Sequence, residues 1–224
     1  MLIHMNQTIS IEPQLAQLCP SLKLGVIECQ VKISTDNEAL WKEIDAFISE
    51  VAPQLTAEDI RNKKTISSSK DGYRKVGKDP NRYRLSAEAL LRRLANGKGL
   101  YKINNVVDLL NLVSIQSGFS IGGYNADKIV GNIRMGLGMA DEAYQGIGRG
   151  DLNIENLPVF RDDIGAFGSA TSDSLRTQID LDCQNFLMVF FSYQGEASLE
   201  ESMSFAEELL KKYADAKAVK TAIV

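Results

Sequence analysis

An α+β fold is what this 224-residue sequence predicts, and three features carry the prediction. A strand-like run at residues 22–33 gives way directly to a helical stripe over 36–51. Two further stripes, at 104–118 and 198–213, keep the helical period. Between them Asn185 to Ser192, rich in Phe and Val, reads as a buried strand.

In chain order, Val31 and Ile33 alternate with Lys32, while Val26 and Ile27 point to burial on both faces of the first strand. Leu40, Trp41, Ile44, Phe47, Ile48 and Val51 then recur at three and four, with Asp36 as the expected N-cap and Pro53 as the stop. Trp41 is expected to pack this helix onto a sheet. Residues 63–84 are polar, carry Gly72, Gly77 and Pro80, and predict a long loop. Ser86 to Leu94 predicts a short helix capped by Ser86 and ended by Asn96-Gly97 and Gly99. A helix over Asn104–Gly118 is followed by a turn-rich stretch, Phe119 to Asn125. Residues 129–168 predict short strands separated by glycines. The last helix opens on Ser198 with Glu201 three residues on, a capping-box pattern, and the Ala/Lys tail after Tyr213 is expected to fray.

Composition is that of a globular protein, with 44 % hydrophobic and 24 % charged residues, in a chain long enough to bury a full core. The longest apolar run, Phe186 to Phe191, is far short of the roughly 20 residues of a membrane-spanning helix. The stretch Met1 to Pro13 has neither a basic start nor an apolar core of signal-peptide length, so a cytoplasmic location is expected. Cys19, Cys29 and Cys183 form no CxxC pair and have one histidine, His4, to join them; they read as small buried hydrophobes, and no metal or cofactor is expected. Histidine-dependent nucleophilic catalysis would have to rest on His4 alone, in an N-terminus expected to be mobile. There is no phosphate-binding P-loop, and the glycines from Gly131 to Gly138 do not follow the dinucleotide fingerprint.

Net charge is −4, with a sequence pI near 5.2, yet residues 61–102 hold 13 Lys/Arg against Asp71, Asp79 and Glu88. Such a segment is either a solvated face or a local surface for phosphate. Two polar groupings stand out. Asp108 and Asn111, three apart, are placed to share a helical side, where they either bind a polar ligand or serve the helix, Asp108 by satisfying backbone N–H groups near its start. Gly122-Gly123-Tyr124 is either plain turn geometry or a place where backbone N–H groups meet a reacting carbonyl.

Three blocks carry a family likeness: Tyr83 to Arg93, Ile103 to Ser114, and Gly118 to Ile129. In that order and spacing they resemble the B3/B4 editing domain of the bacterial phenylalanyl-tRNA synthetase β subunit, and more closely its stand-alone relatives; Val159 to Asn185 resembles the second half of those relatives. The resemblance implies a β-sandwich of unusual topology with helices packed outside, formed by one domain over residues 1–224 with a core of about 20–213. It implies a pocket between the B3 and B4 parts. Onto this chain it carries Asp108 and Asn111 of a Val-Asp-x-x-Asn element, with Leu110 where the family usually has Thr. It places Asn105 where the synthetase has a pocket arginine, and Gly122 where it has a pocket histidine.

The function so implied is an RNA-linked hydrolase that removes a wrong amino acid from a tRNA in trans. Asn111, Gly122 and Gly123 would be catalytic, and Asn104, Asn105, Asp108, Tyr124, Ser169 and Thr177 would line the substrate pocket. Arg74, Lys75, Lys78, Arg82 and Arg84 would meet RNA, so that the partner is the tRNA acceptor end or a free amino acid. The missing Arg and His favour an alternative, a non-catalytic module that binds an amino acid or related small molecule. A domain that binds only protein would have no pocket beside Asn111 and Tyr124.

Overall fold

The computed structural model describes residues 7–224; His4 lies outside the described residues. The elements run β1 (Ile9–Ile11), α1 (Pro13–Leu18), β2 (Lys23–Gln30), α2 (Glu38–Val51), α3 (Ala57–Asn62), α4 (Lys64–Lys75), α5 (Ser86–Ala95), α6 (Asn105–Ser117) and β3 (Ser120–Asn125). They continue with β4 (Ile133–Leu137), β5 (Gln145–Gly146), β6 (Gly150–Asp151), β7 (Pro158–Arg161), β8 (Ala166–Gly168), β9 (Asn185–Ser192), α7 (Leu199–Tyr213) and β10 (Lys217–Ile223).

Two four-stranded sheets organise the molecule. One, ordered β10-β2-β9-β3, is antiparallel throughout. The other, β1-β4-β7-β8, is mixed, because β1 joins β4 in parallel. Side chains alternate across each strand, so β9 serves two layers at once. Its Phe191 meets Phe160 of β7, and β3 sends Tyr124 edge-on to Phe160 and to Phe167 of β8. These rings fill the space between the sheets. Phe190, pointing the other way, meets Phe119 beneath the helices. On that outer face α7 lies so close to β2 that a Cβ on Gly25 would be 2.6 Å from the Met203 sulfur. The result is a sandwich with helices outside one sheet, an α+β fold of the kind the sequence predicts.

Four local expectations are corrected. Residues 63–84 are not one loop: Lys64–Lys75 form α4, which follows α3 and its Thr56–Asp59 capping box, and the expected turns are confined to 76–84. The polar composition hid a buried stripe of Ile66, Ser69, Lys70 and Tyr73. Lys70 is neutralised by Glu88 at 2.9 Å, and Gly72 is needed because a Cβ there would stand 2.2 Å from the Tyr193 ring. The stretch after α6 is a strand, β3, with Gly118 (φ +79°) making the helix exit. The tail does not fray; β10 pairs with β2 and so extends that sheet beyond residue 213. Trp41 is bonded to α6, where its indole N–H donates to Asp108 at 2.7 Å.

Helix caps also differ in detail. Leu85, not Ser86, is the N-cap of α5, and the Ser86 N–H donates to the Ala170 carbonyl. Ser198 does occupy the N-cap of α7, but in the left-handed region and with no capping bond from its side chain. No helix among the described residues is long and apolar enough to cross a membrane.

Candidate functional site

A cavity of about 670 Å3 opens between α5, the loop that follows it, α6, β3 and the segments around 147–149 and 169–179. Its floor is set by α6, where Val107, Leu110 and Asn111 turn one side of the helix toward the opening. Asn111 is half-buried, and its side-chain amide has no partner among the described residues. Gly123 of β3 forms part of the wall; a Cβ on it would stand 2.6 Å from the Leu110 Cδ1, so a larger residue would push the end of that side chain aside.

One carboxylate, Asp173, lines the cavity. Its Oδ1 accepts the Tyr124 hydroxyl at 2.9 Å, and its Oδ2 accepts the Gly123 N–H at 3.3 Å. These donors favour the ionised form, but burial outweighs them and pushes the carboxyl up to about 7. Tyr124 in turn is held protonated well above its ordinary range by burial and by the Asp173 charge. The segment before Asp173 is pinned by Ser169, whose Oγ donates to the Ser172 carbonyl and accepts the N–H groups of Thr171 and Ser172.

Five cations share the lining: Arg84, Arg92, Arg93, Lys98 and Arg149. Arg92 is paired with Glu88 at 2.9 Å. Among the described residues the other four make no ion pair, so the opening carries uncompensated positive charge.

The model of the B3/4 domain matches residues 69–223, from within α4 to the end of β10. The chain belongs to the B3/4 domain family. Every residue that lines the cavity lies inside the matched range. Among solved structures, the fold is similar to an N-terminal fragment of the phenylalanyl-tRNA synthetase β subunit from Pyrococcus horikoshii. The TM-score is 0.51 at 11 % identity, over 100 % of this chain and 56 % of that one. The chain therefore spans little more than half of that fragment. No curated protein matches the sequence.

Within this B3/4 domain the expected site residues divide. Asn111, Gly123, Ser169 and Arg84 come together at the cavity; Asn104, Asn105, Asp108, Gly122, Tyr124 and Thr177 do not line it. Asn104 caps α6 by accepting the Val107 N–H. Asn105 ties three segments together: it donates to the Lys32 and Tyr213 carbonyls and accepts the Ser34 N–H. Asp108 faces away from Asn111 and accepts from Asn37, Trp41 and the Ile103 N–H. Gly122 stands opposite Val189 in the strand ladder, where a Cβ would be 2.0 Å from the Tyr124 hydroxyl. Tyr124 lies between the sheets and reaches the cavity only through Asp173. Thr177 is fully buried, with an unpaired Oγ1.

A pair of free backbone N–H groups at Gly122-Gly123 is thus not present, because Asp173 takes the Gly123 N–H. Of the expected RNA-contacting residues, Arg74 is exposed but paired with Asp71, Lys75 is exposed on α4, and Lys78 and Arg82 flank the Tyr83 ring. Only Arg84 of that group lines the cavity. The residues that sequence reasoning missed are Asp173, Arg92, Arg93, Lys98, Tyr101 and Arg149. Three of those cations lie in the basic 61–102 segment, which was the available signal; Asp173 gives none, since its hydroxyl partner is 49 positions away.

Proposed function

We propose that this cavity receives the aminoacylated 3′ end of a tRNA and hydrolyses the ester. The observation that carries the reading is Asp173, a lone carboxylate raised to about 7 inside a cavity lined by five cations. Its chemistry suits a general base. The ionised carboxylate takes a proton from water as the water oxygen adds to the ester carbonyl. Asn111, with its amide unpartnered, is placed to donate to the oxygen that gains charge. The intermediate then collapses, the ribose oxygen leaves, and Asp173 returns the proton to it. The products are a free amino acid and a tRNA with its hydroxyl restored. Arg84, Lys98 and Arg149 serve the phosphates. The choice of tRNA is supported by the fold shared with a tRNA synthetase fragment.

A second reading, a non-catalytic pocket for a free amino acid, is favoured by one observation: Gly123 N–H and Asp173 already satisfy one another. In that case Asp173 meets the ammonium group and an arginine the carboxylate. Deacylation of tRNAs charged with tyrosine and with other amino acids separates the two readings. The wild type is expected to accelerate hydrolysis of at least one of them, with kcat/KM rising with pH through about 7. Asp173→Asn is expected to lose roughly 100-fold or more. No acceleration at high enzyme concentration, together with calorimetric binding of a free amino acid, would decide for the second reading.

A further inference from the structure

The loop between α5 and α6 presents an aromatic ring that packing does not explain. Tyr101 is 59 % exposed, although it borders the cavity. One face of its ring is covered by the Arg93 guanidinium, with the central carbon 3.8 Å from the ring centroid. That guanidinium is fixed from three sides: Nε donates to the Gly99 carbonyl at 2.7 Å, Nη2 to the Lys98 carbonyl at 3.2 Å, and Nη1 to the Tyr101 hydroxyl at 2.9 Å. The loop reaches back to Arg93 by placing Gly97 and Gly99 at φ +68° and +61°, a left-handed conformation that glycine adopts without strain. The cation is thus held as a backing plate for the ring, and no carboxylate pairs with it among the described residues.

Ring and guanidinium are therefore pre-organised before any ligand arrives, which spares the ligand the ordering cost. Beside them stand exposed Ile103 and Ile147 and the unpaired cations Arg84, Lys98 and Arg149. Flat apolar surface next to positive charge is the chemistry that recognises an unstacked base joined to phosphate. We infer that the Arg93-backed Tyr101 ring is a stacking platform for the unpaired terminal nucleobase of a single-stranded RNA end, with the neighbouring cations on its phosphates. The inference rests on the reading of the cavity as an RNA-end site and adds how a nucleotide ester is told from a free amino acid or a simple ester.

The test is calorimetric binding of a CCA trinucleotide carrying an amide-linked amino acid at its 3′ end, beside the same molecule without its terminal base. Tyr101→Ala is expected to weaken the intact trinucleotide about 5- to 150-fold, the range for one stacked base. It should leave the base-less molecule unchanged, and Tyr101→Phe, which keeps the ring, should bind the intact trinucleotide nearly as the wild type does. Circular dichroism of both variants controls for folding, and the exposure of the side chain makes a folding defect an unexpected result. Equal loss on both molecules, or no loss on either, would overturn the platform while leaving the cavity as an RNA-end site. A wild type that binds neither molecule at low salt would overturn the platform and that reading together.

Discussion

Asp108 and Asp173 are both carboxylates set into the protein within reach of β3 or α6, and they do opposite work. Asp108 is 1 % exposed and is met by three donors, from Asn37, Trp41 and the Ile103 backbone, which fasten α2 and the entry loop to α6. Asp173 accepts the Tyr124 hydroxyl and the Gly123 N–H, opens onto a cavity and is raised by burial to about 7. The contrast teaches that a carboxylate met by donors from several segments serves as a structural tie, whereas Asp173 joins one strand to one loop and keeps an opening to the cavity. Asp162 falls on the structural side by the same measure. Although burial alone would raise it, Arg176 and the backbone N–H groups of Val130, Ile164 and Gly165 hold it below its ordinary value.

The contrast breaks first at Asp108. Asp108→Ala leaves three donors unpaired and is expected to cost about 3 kcal/mol or more in urea unfolding, while hydrolysis per folded molecule stays unchanged. Lost hydrolysis in protein that remains folded would mean that Asp108 acts in the chemistry after all. Gly168→Ala sharpens the other side. Its Cβ would stand 2.3 Å from the Tyr124 hydroxyl, so the ring must shift, at about 1–3 kcal/mol. Because a donor to the ionised form is then lost, the pH midpoint of hydrolysis should move upward; an unmoved midpoint would uncouple Tyr124 from the carboxylate. The last effect is read as a sign. Asp173 binds its proton more tightly folded, near 7, than at its ordinary 3.8. Its contribution to stability is therefore fully present below about 4 and is lost as pH rises through about 7. The stability of Asp173→Asn relative to the wild type should accordingly increase from pH 4 to pH 8, and a flat difference in urea midpoints would contradict the raised carboxyl.

Much of this molecule was legible in its residues. The helices over 38–51, 105–117 and 199–213 follow from period, and the strand over Asn185–Ser192 from its run of Phe and Val, buried on both sides. The helix Lys64–Lys75 was hidden because its inward side uses Ser69, Lys70 and Gly72, whose fitness for burial depends on Glu88 and Tyr193 elsewhere. The strand Ser120–Asn125 was hidden because two glycines in a row signal a turn, whereas here they make room for Tyr124 and Leu110. At the site, Asn111 and Arg84 could be picked out from their neighbours in sequence. Asp173 could not, because what makes it special is a cavity and a hydroxyl brought from another strand.

Tyr124 has a further consequence. In most sandwiches the interior is insulated from the working surface, and its aromatic residues are interchangeable within volume. Here one ring wedged between Phe160 and Phe167 emerges as the donor to the carboxylate in the cavity. The interior of this protein is thus wired by one hydrogen bond to its cavity, so a change of shape deep between the sheets also reaches the carboxylate there.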